Sequence, residues 1–269
     1  MSTPLIREAH GTAHSRILAL GAARGDRDVP NAELIEPINS SDEWIQQRTG
    51  IISRKRASED VTATDLAIAA AREAISSAGI APELIDMVVV STISAPSRTP
   101  SMAVVVADQV GANPAAAYDI SAACAGYTYA IAQADAAIRS GLAHYVLVVG
   151  AEKLSDFVDP ADRSISFLLG DGAGAAVLGP SDVPGVSETV WGSDGSRHDT
   201  IRFTHSELDF RKHGGDVPTL RQEGPSVFRW AVWDMAKVAQ RALDVAGVSS
   251  SDLAAFIPNQ ANARIIDEF

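Results

Sequence analysis

The sequence predicts an α/β protein built on a duplicated plan, and three observations carry that reading. Apolar runs of buried-strand length, Met87-Val88-Val89-Val90 and Tyr145-Val146-Leu147-Val148-Val149, lie between helical segments. Such runs mark strands covered on both faces of a parallel or mixed sheet. Leu66, Ala67, Ala70, Ala71, Ala74 and Ile75 recur at helical spacing within 62–79 and make one apolar stripe. In each half an amphipathic helix, an apolar strand and a polar turn lead into a further helix. The turn carries Cys124 in the first half and Asn259, Gln260 and Asn262 in the second.

Taken in order, residues 1–15 read as a loose leader and 16–21 as the first strand. Asn31 caps a helix start within 29–34. Ser40 or Ser41 caps a short helix that Gly50 ends, which puts Trp44 and Arg48 on one face at i and i+4. The helix 62–79 precedes a strand over 86–94, a loop over 94–100 and a helix over 101–110. A strand at 115–120, a helix at 128–140 and a strand at 145–151 follow. The glycines of 170–174 predict a tight turn between a helix and a strand at 175–179. No Gly-Lys-Ser/Thr follows them, so they do not form a phosphate loop. The polar stretch 181–219 reads as a linker and insertion with a strand or two. A second long helix covers 225–247, a strand 253–257, and a polar turn at 258–262 enters a last helix. The domain division expected from this plan is 1–180 and 181–269.

Composition narrows the function. The 269-residue chain has a formal net charge of −12 and a pI near 4.9, which disfavours a nucleic-acid binder. A single cysteine allows no intrachain disulfide and fits a reducing cytoplasm. The first residues lack the apolar core of a secretory signal, and no apolar run approaches a membrane span. The expectation is a cytoplasmic protein without a membrane or nucleic-acid partner.

Cys124 is the focus of the chemistry. Ala115-Ala116-Ala117-Tyr118-Asp119-Ile120 precedes it as a strand, and 128–140 follows as a helix. Unpaired N–H groups and partial positive charge at a helix start favour a thiolate nucleophile. Ala122, Ala123, Ala125 and Gly126 leave room for a substrate to reach the sulfur. Lone cysteines also serve as small buried hydrophobes, and the local context leaves both readings open.

The motifs together resolve this. Ser40-Ser41-Asp42-Glu43-Trp44-Ile45 with Arg48-Thr49-Gly50, then Ala122-Ala123-Cys124-Ala125-Gly126-Tyr127, then Asp162-Arg163 with Gly170-Asp171-Gly172-Ala173-Gly174 occur in one order. Glu223-Gly224 with Val227-Phe228 and Ile257-Pro258-Asn259-Gln260-Ala261-Asn262-Ala263-Arg264-Ile265 complete it. In these segments the chain resembles the β-ketoacyl-(acyl-carrier-protein) synthase III family. That resemblance implies a thiolase-like fold of layered α/β/α/β/α type, here with the second half incomplete. It also implies a homodimer and a two-step reaction. The cysteine takes an acyl group from acyl-CoA. Malonyl-(acyl-carrier protein) then loses CO2, and its carbanion attacks the acyl-cysteine. The product is a 3-oxoacyl-(acyl-carrier protein), the first step of fatty-acid elongation. Acyl-CoA is a substrate, so the resemblance implies no cofactor and no metal.

Roles carry over by motif position. Cys124 matches the nucleophile, with its backbone N–H in the oxyanion hole. Trp44 and Arg163 match the pair that sandwiches the CoA adenine, and Arg48 meets phosphate oxygens. Gly224 falls within the CoA-binding motifs, and Asn262 sits near the pantetheine channel or supports the helix that follows it. Arg229 and Arg264 are entrance cations that greet CoA phosphates and an acidic carrier protein. Thr99 matches the position that crosses the dimer and floors the partner's acyl pocket, where a small residue leaves room for longer or branched primers. An ordinary loop residue is the alternative for Thr99.

The chain departs from the family pattern in two places. Asn259 stands where the family has a catalytic histidine, and an amide can donate a hydrogen bond but cannot titrate. The family's Gly-Asn-Thr-Ser segment is not in the sequence, which ends at Phe269. The expectation is a truncated or altered copy that loads Cys124 better than it condenses. Two rival functions stand beside it: acyl transfer to an alcohol or amine, and a non-catalytic CoA- or carrier-protein-binding partner.

Overall fold

The computed structural model describes residues 10–268; most of the expected leader lies outside them. The strands are β1 (His14–Arg24), β2 (Arg27–Pro30), β3 (Ser53–Arg56), β4 (Ile85–Ser91), β5 (Ala116–Ile120), β6 (Tyr145–Lys153), β7 (Asp171–Ser181), β8 (Ile201–Phe203) and β9 (Leu220–Gln222). The α-helices are α1 (Asp42–Thr49), α2 (Ala63–Ala78), α3 (Met102–Val110), α4 (Gly126–Arg139), α5 (Glu207–His213), α6 (Gly224–Trp230), α7 (Ala236–Ala246) and α8 (Ala263–Asp267). The chain divides into two compact units that interleave in sequence. The first holds the stretch up to Ala23, Thr62–Glu152 and Ala173–Ser187. The second holds Arg24–Val61, Lys153–Gly172 and the chain from Glu188. The boundary expected at residue 180 falls inside β7.

The first unit is a five-stranded sheet in the order β1-β7-β6-β4-β5. β4 is parallel to both of its neighbours, β5 and β6. Its apolar run is continuous because both faces are covered. Val88 and Val90 pack with Ala67, Ala70 and Ala74 of α2 and with Ala103 and Val106 of α3. Met87 and Val89 pack with Ala130, Ala134 and Ile138 of α4 on the opposite face. The chain leaves β4 through α3 to β5, then returns through α4 past β4 to β6. β4 is therefore a topological switch point, and the carboxyl ends of β4 and β5 border the crevice where such sheets place ligands. α2 starts on a capping box, in which Thr62 Oγ1 accepts from Asp65 N–H and the Asp65 carboxylate accepts from Thr62 N–H.

The second unit contains two small antiparallel pairs, β2–β3 and β8–β9. Its main apolar cluster joins Val29, Leu34, Ile38, Ile45 and Phe167; a smaller one joins Val158, Ile165 and Leu220. The long helix expected over 225–247 forms as α6 and α7 joined by a π-helical turn at Ala231–Met235.

Four local expectations need correction. Asn31 does not cap a helix. It is buried at the start of a 3-10 turn, where its side chain bonds to other segments. Residues 163–168 are a run of turns without an α-helix. Gly172 and Gly174 lie inside β7, not in a tight turn. The expected close approach does occur at Gly170, where a Cβ would lie 2.7 Å from the Lys55 carbonyl oxygen. Leu253–Ile257 is not a strand. Among the described residues no strand pairs with it, and Ile257 is 83% exposed; an apolar run needs a ladder partner before it becomes a strand.

Candidate active site

Cys124 stands at the carboxyl edge of the first unit's sheet. β5 ends at Ile120, a 3-10 turn covers Ala123–Ala125, and α4 begins at Gly126. The helix thus starts nearer the cysteine than periodicity indicated. Cys124 is exposed. Its predecessor Ala123 has φ of 45°, in the left-handed region, a strain of about 1–3 kcal/mol for a residue with a Cβ. Such strain concentrates where a reactive side chain must be presented. The turn is braced from the residue that follows β4: Thr92 N–H donates to Ile120 O at 3.1 Å. At Gly126 a Cβ would lie 2.0 Å from Ser91 Oγ, so only glycine lets α4 start this close to β4. Gly126→Ala is expected to lower the melting temperature by several degrees, equivalent to roughly 1–3 kcal/mol of overpacking, and to slow alkylation of Cys124. Thermal unfolding and timed iodoacetamide labelling measure the two effects.

The second unit carries the aromatic and cationic residues. Ser41 Oγ accepts from Trp44 N–H at 3.2 Å and Gly50 ends α1 in the left-handed conformation, as the residue pattern predicts. The Arg163 guanidinium lies 4.4 Å from the Trp44 ring centre and that of Arg48 5.3 Å. Phe167 packs edge-on against the indole at 5.4 Å. Two arginines therefore share one indole. At 4.4 Å there is no slot between Trp44 and Arg163, since a flat ring placed between them needs about 7 Å, two contacts of about 3.5 Å. Arg163 is exposed.

α1 is held by a polar relay that the sequence did not announce. Arg54 is buried; it donates to Val29 O at 2.9 Å and to Asn31 Oδ1 at 2.6 Å. Asn31 Nδ2 donates to Asp42 Oδ1 at 2.6 Å and to Ile51 O at 2.8 Å, tying both ends of α1. Burial, and then the neighbouring Arg56 charge, push Arg54 down to about 10.

The remaining motif residues surround this helix or lie apart from it. A Cβ on Gly50 would sit 3.0 Å from Ala263 Cβ, so the start of α8 lies against the end of α1. Asn262 Oδ1 accepts from Arg264 N–H at 3.0 Å and caps α8. The Arg264 guanidinium lies 5.0 Å from the Phe228 ring. Arg229 is exposed on α6, and Gly224 opens that helix with open space where a Cβ would be. Asn259 is exposed; its Oδ1 accepts from Ala261 N–H at 3.1 Å. Thr99 belongs to the first unit, exposed on the loop after β4, where its carbonyl accepts from Ser97 Oγ at 2.8 Å.

A strained, exposed cysteine at the carboxyl edge of a switch-point sheet is an arrangement suited to an α/β enzyme that works through a covalent intermediate. Comparison with known proteins makes this specific. Residues 118–195 match the family model for 3-oxoacyl-[acyl-carrier-protein] synthase III. The chain is 54% identical to the β-ketoacyl-[acyl-carrier-protein] synthase III of Kocuria rhizophila, over 95% of this chain and 79% of the relative. It is 55% identical to that of Tropheryma whipplei with the same coverages. Among solved structures, a priming β-ketosynthase of a polyketide pathway superposes with a TM-score of 0.94 at 45% identity, covering 98% of this chain and 79% of that one. The synthase III of Aquifex aeolicus gives 0.84 at 37%, covering 94% and 79%. The chain belongs to the 3-oxoacyl-[acyl-carrier-protein] synthase III family, a family of acyltransferases, and its fold is thiolase-like.

Proposed function

We propose that Cys124 takes the acyl group of an acyl-CoA as a thioester and passes it to malonyl-(acyl-carrier protein), giving the 3-oxoacyl product that begins fatty-acid synthesis. The observation that carries this reading is the exposed Cys124 on its strained turn, in a chain more than half identical to synthases of that name. The thiolate attacks the thioester carbonyl, CoA leaves as its thiolate and takes a proton from solvent, and the N–H groups at the start of α4 face the developing oxyanion. Decarboxylation of the malonyl group then releases CO2, and the resulting carbanion attacks acyl-Cys124 and frees its thiolate.

Trp44, Arg163 and Arg48 are proposed to bind CoA. Arg163 moves off the indole, the adenine enters between them, and Arg48 meets the phosphates. Gly224 is proposed to let the CoA chain approach the backbone closely. Arg229 and Arg264, local cations on a chain of net charge −12, are proposed to receive the acidic carrier protein. Thr99 is proposed to floor the acyl pocket of a second copy. Supporting a homodimer, β5 is an edge strand with β4 as its sheet neighbour and an exposed Tyr118, an open ladder that a second β5 can complete. No described helix is long and apolar enough to cross a membrane, and we place the reaction in the cytoplasm.

Incubation with an acyl-CoA and malonyl-(acyl-carrier protein), with the 3-oxoacyl product followed by mass spectrometry, tests the reading. Acylated Cys124 that yields only esters or amides with added alcohols or amines would replace it with the transferase alternative. For the CoA site, Trp44→Ala is expected to weaken CoA binding about tenfold, as a lost stacking contact with its cation should. Asn31→Ala is expected to weaken it by a smaller factor through loosening of α1. Calorimetric titration with CoA measures both.

A further inference from the structure

We propose that Glu152 is a positioning residue for the Cys124 turn and for the loop that carries Thr99, an inference that rests on the acyltransferase reading of Cys124. Glu152 lies near the carboxyl end of β6, beside the carboxyl end of β4. Its carboxylate gathers three successive residues that follow β4. Oε1 accepts from Ile93 N–H at 2.9 Å. Oε2 accepts from Thr92 Oγ1 at 3.3 Å and from Ser94 Oγ through a short hydrogen bond. Thr92 and Ser94 are 4% and 3% exposed, so this clamp is sheltered from water, where such bonds hold geometry most firmly.

The clamp reaches the nucleophile in one further step. Thr92 N–H donates to Ile120 O at 3.1 Å, and Ile120 is the last residue of β5 before the Ser121–Cys124 turn. In the other direction Ser94 begins the loop that runs through Ser97 and Thr99 to α3. One carboxylate thus joins β6, the end of β4, the base of the nucleophile turn and the root of the Thr99 loop. Among the described residues it forms no ion pair, and the partners of its carboxylate all belong to this clamp.

Its energetics favour a positioning role over a stabilising one. Burial pushes the Glu152 carboxyl up against the pull of its hydrogen bonds from Ser94, Ile93 and Thr92. A folded-state value above the unfolded one gives a favourable contribution below the unfolded value that fades as pH rises through the folded one. Ionisation of Glu152 therefore costs the fold stability, and a neutral isostere does not pay that cost. Glu152→Gln keeps one oxygen for Ile93 N–H but presents an amide N–H2 to Ser94. It is expected to melt at or above the parent temperature at neutral pH.

The test combines three variants of the 269-residue chain, Glu152→Gln, Glu152→Asp and Glu152→Ala, with two readouts of Cys124. The first is the rate of iodoacetamide alkylation at neutral pH. The second is the rate of acylation by short and long straight-chain acyl-CoAs, with KM and the saturated rate separated. Glu152→Gln and Glu152→Ala are expected to slow alkylation by about threefold or more, as the thiol leaves its place at the helix start. They should slow saturated acylation by about tenfold, as misplacement of a reacting group does. KM for CoA should stay within about twofold, because the CoA contacts are elsewhere, and Glu152→Asp should recover part of the rate. Alkylation at the parent rate in folded Glu152→Gln and Glu152→Ala would overturn the inference whatever the acylation result. Losses in proportion to unfolded protein would overturn it as well. A parent chain that alkylates normally but is never acylated would overturn the acyltransferase reading, and the alkylation rates would still decide the role of Glu152.

Discussion

Replacing Cys124 with alanine is expected to abolish acyl-enzyme formation and to lower product formation by at least about a thousandfold, the scale on which covalent catalysts lose activity with their nucleophile. Fold stability should barely change. Cys124 is exposed and follows the strained Ala123, so alanine removes no buried contact and relieves no clash. The expected signature is unaltered melting and an unaltered CoA titration beside a silent enzyme. Cys124→Ser should keep a small residual rate, because its hydroxyl has the same place on the turn but needs a base to be deprotonated. Parallel loss of CoA binding in Cys124→Ala would instead mean that the residue serves the architecture of the site.

Asn259→His is expected to raise decarboxylation of malonyl-(acyl-carrier protein) by about ten- to a hundredfold, with acylation of Cys124 unchanged. The general acid–base and oxyanion effects of one positioned group span that range and more, and the existing amide already supplies one donor. The geometry suits the exchange. Asn259 Oδ1 accepts from Ala261 N–H at 3.1 Å, and the Nδ1 of a histidine can accept the same N–H. That bond selects the tautomer with the proton on Nε2, leaving a donor aimed out of the loop. Release of CO2 from the malonyl thioester measures the effect. An equal rate in both forms would mean that residue 259 does not face the carbanion.

Much of this architecture is legible in the residue pattern, for reasons that differ by element. β4 reads clearly because it is covered on both faces, so four consecutive apolar residues are required there. α1 reads clearly because its signals are local: a serine cap three residues from the amide it accepts, and a glycine in the left-handed region. Leu253–Ile257 misleads because a strand is not a local property: its apolar composition matches β4, but no described strand pairs with it. Gly172 and Gly174 mislead in the opposite direction, since glycine suits a turn by propensity and lies here inside a long strand.

The site divides along the same line. Cys124 can be suspected from its own neighbourhood, a strand giving way to a helix among small residues. The contact of Trp44 with Arg163 spans more than a hundred residues and follows only from the combined motifs. The Arg54–Asn31–Asp42 relay and the Glu152 clamp carry no sequence signal, because each is made of common polar residues whose partners are distant in the chain. What identifies them is shelter from water combined with hydrogen bonds between distant segments, visible only once the chain is folded.

Cys124 is the sole cysteine of the chain, so one measurement addresses the central claim without ambiguity. The purified protein is incubated with an acyl-CoA, quenched in acid, and weighed intact, with and without hydroxylamine. The account predicts a mass increase of one acyl group, located on the peptide containing Cys124, removed by hydroxylamine as a thioester must be, and absent from Cys124→Ala. An unmodified parent chain, or an acyl group found on any other residue, would contradict it.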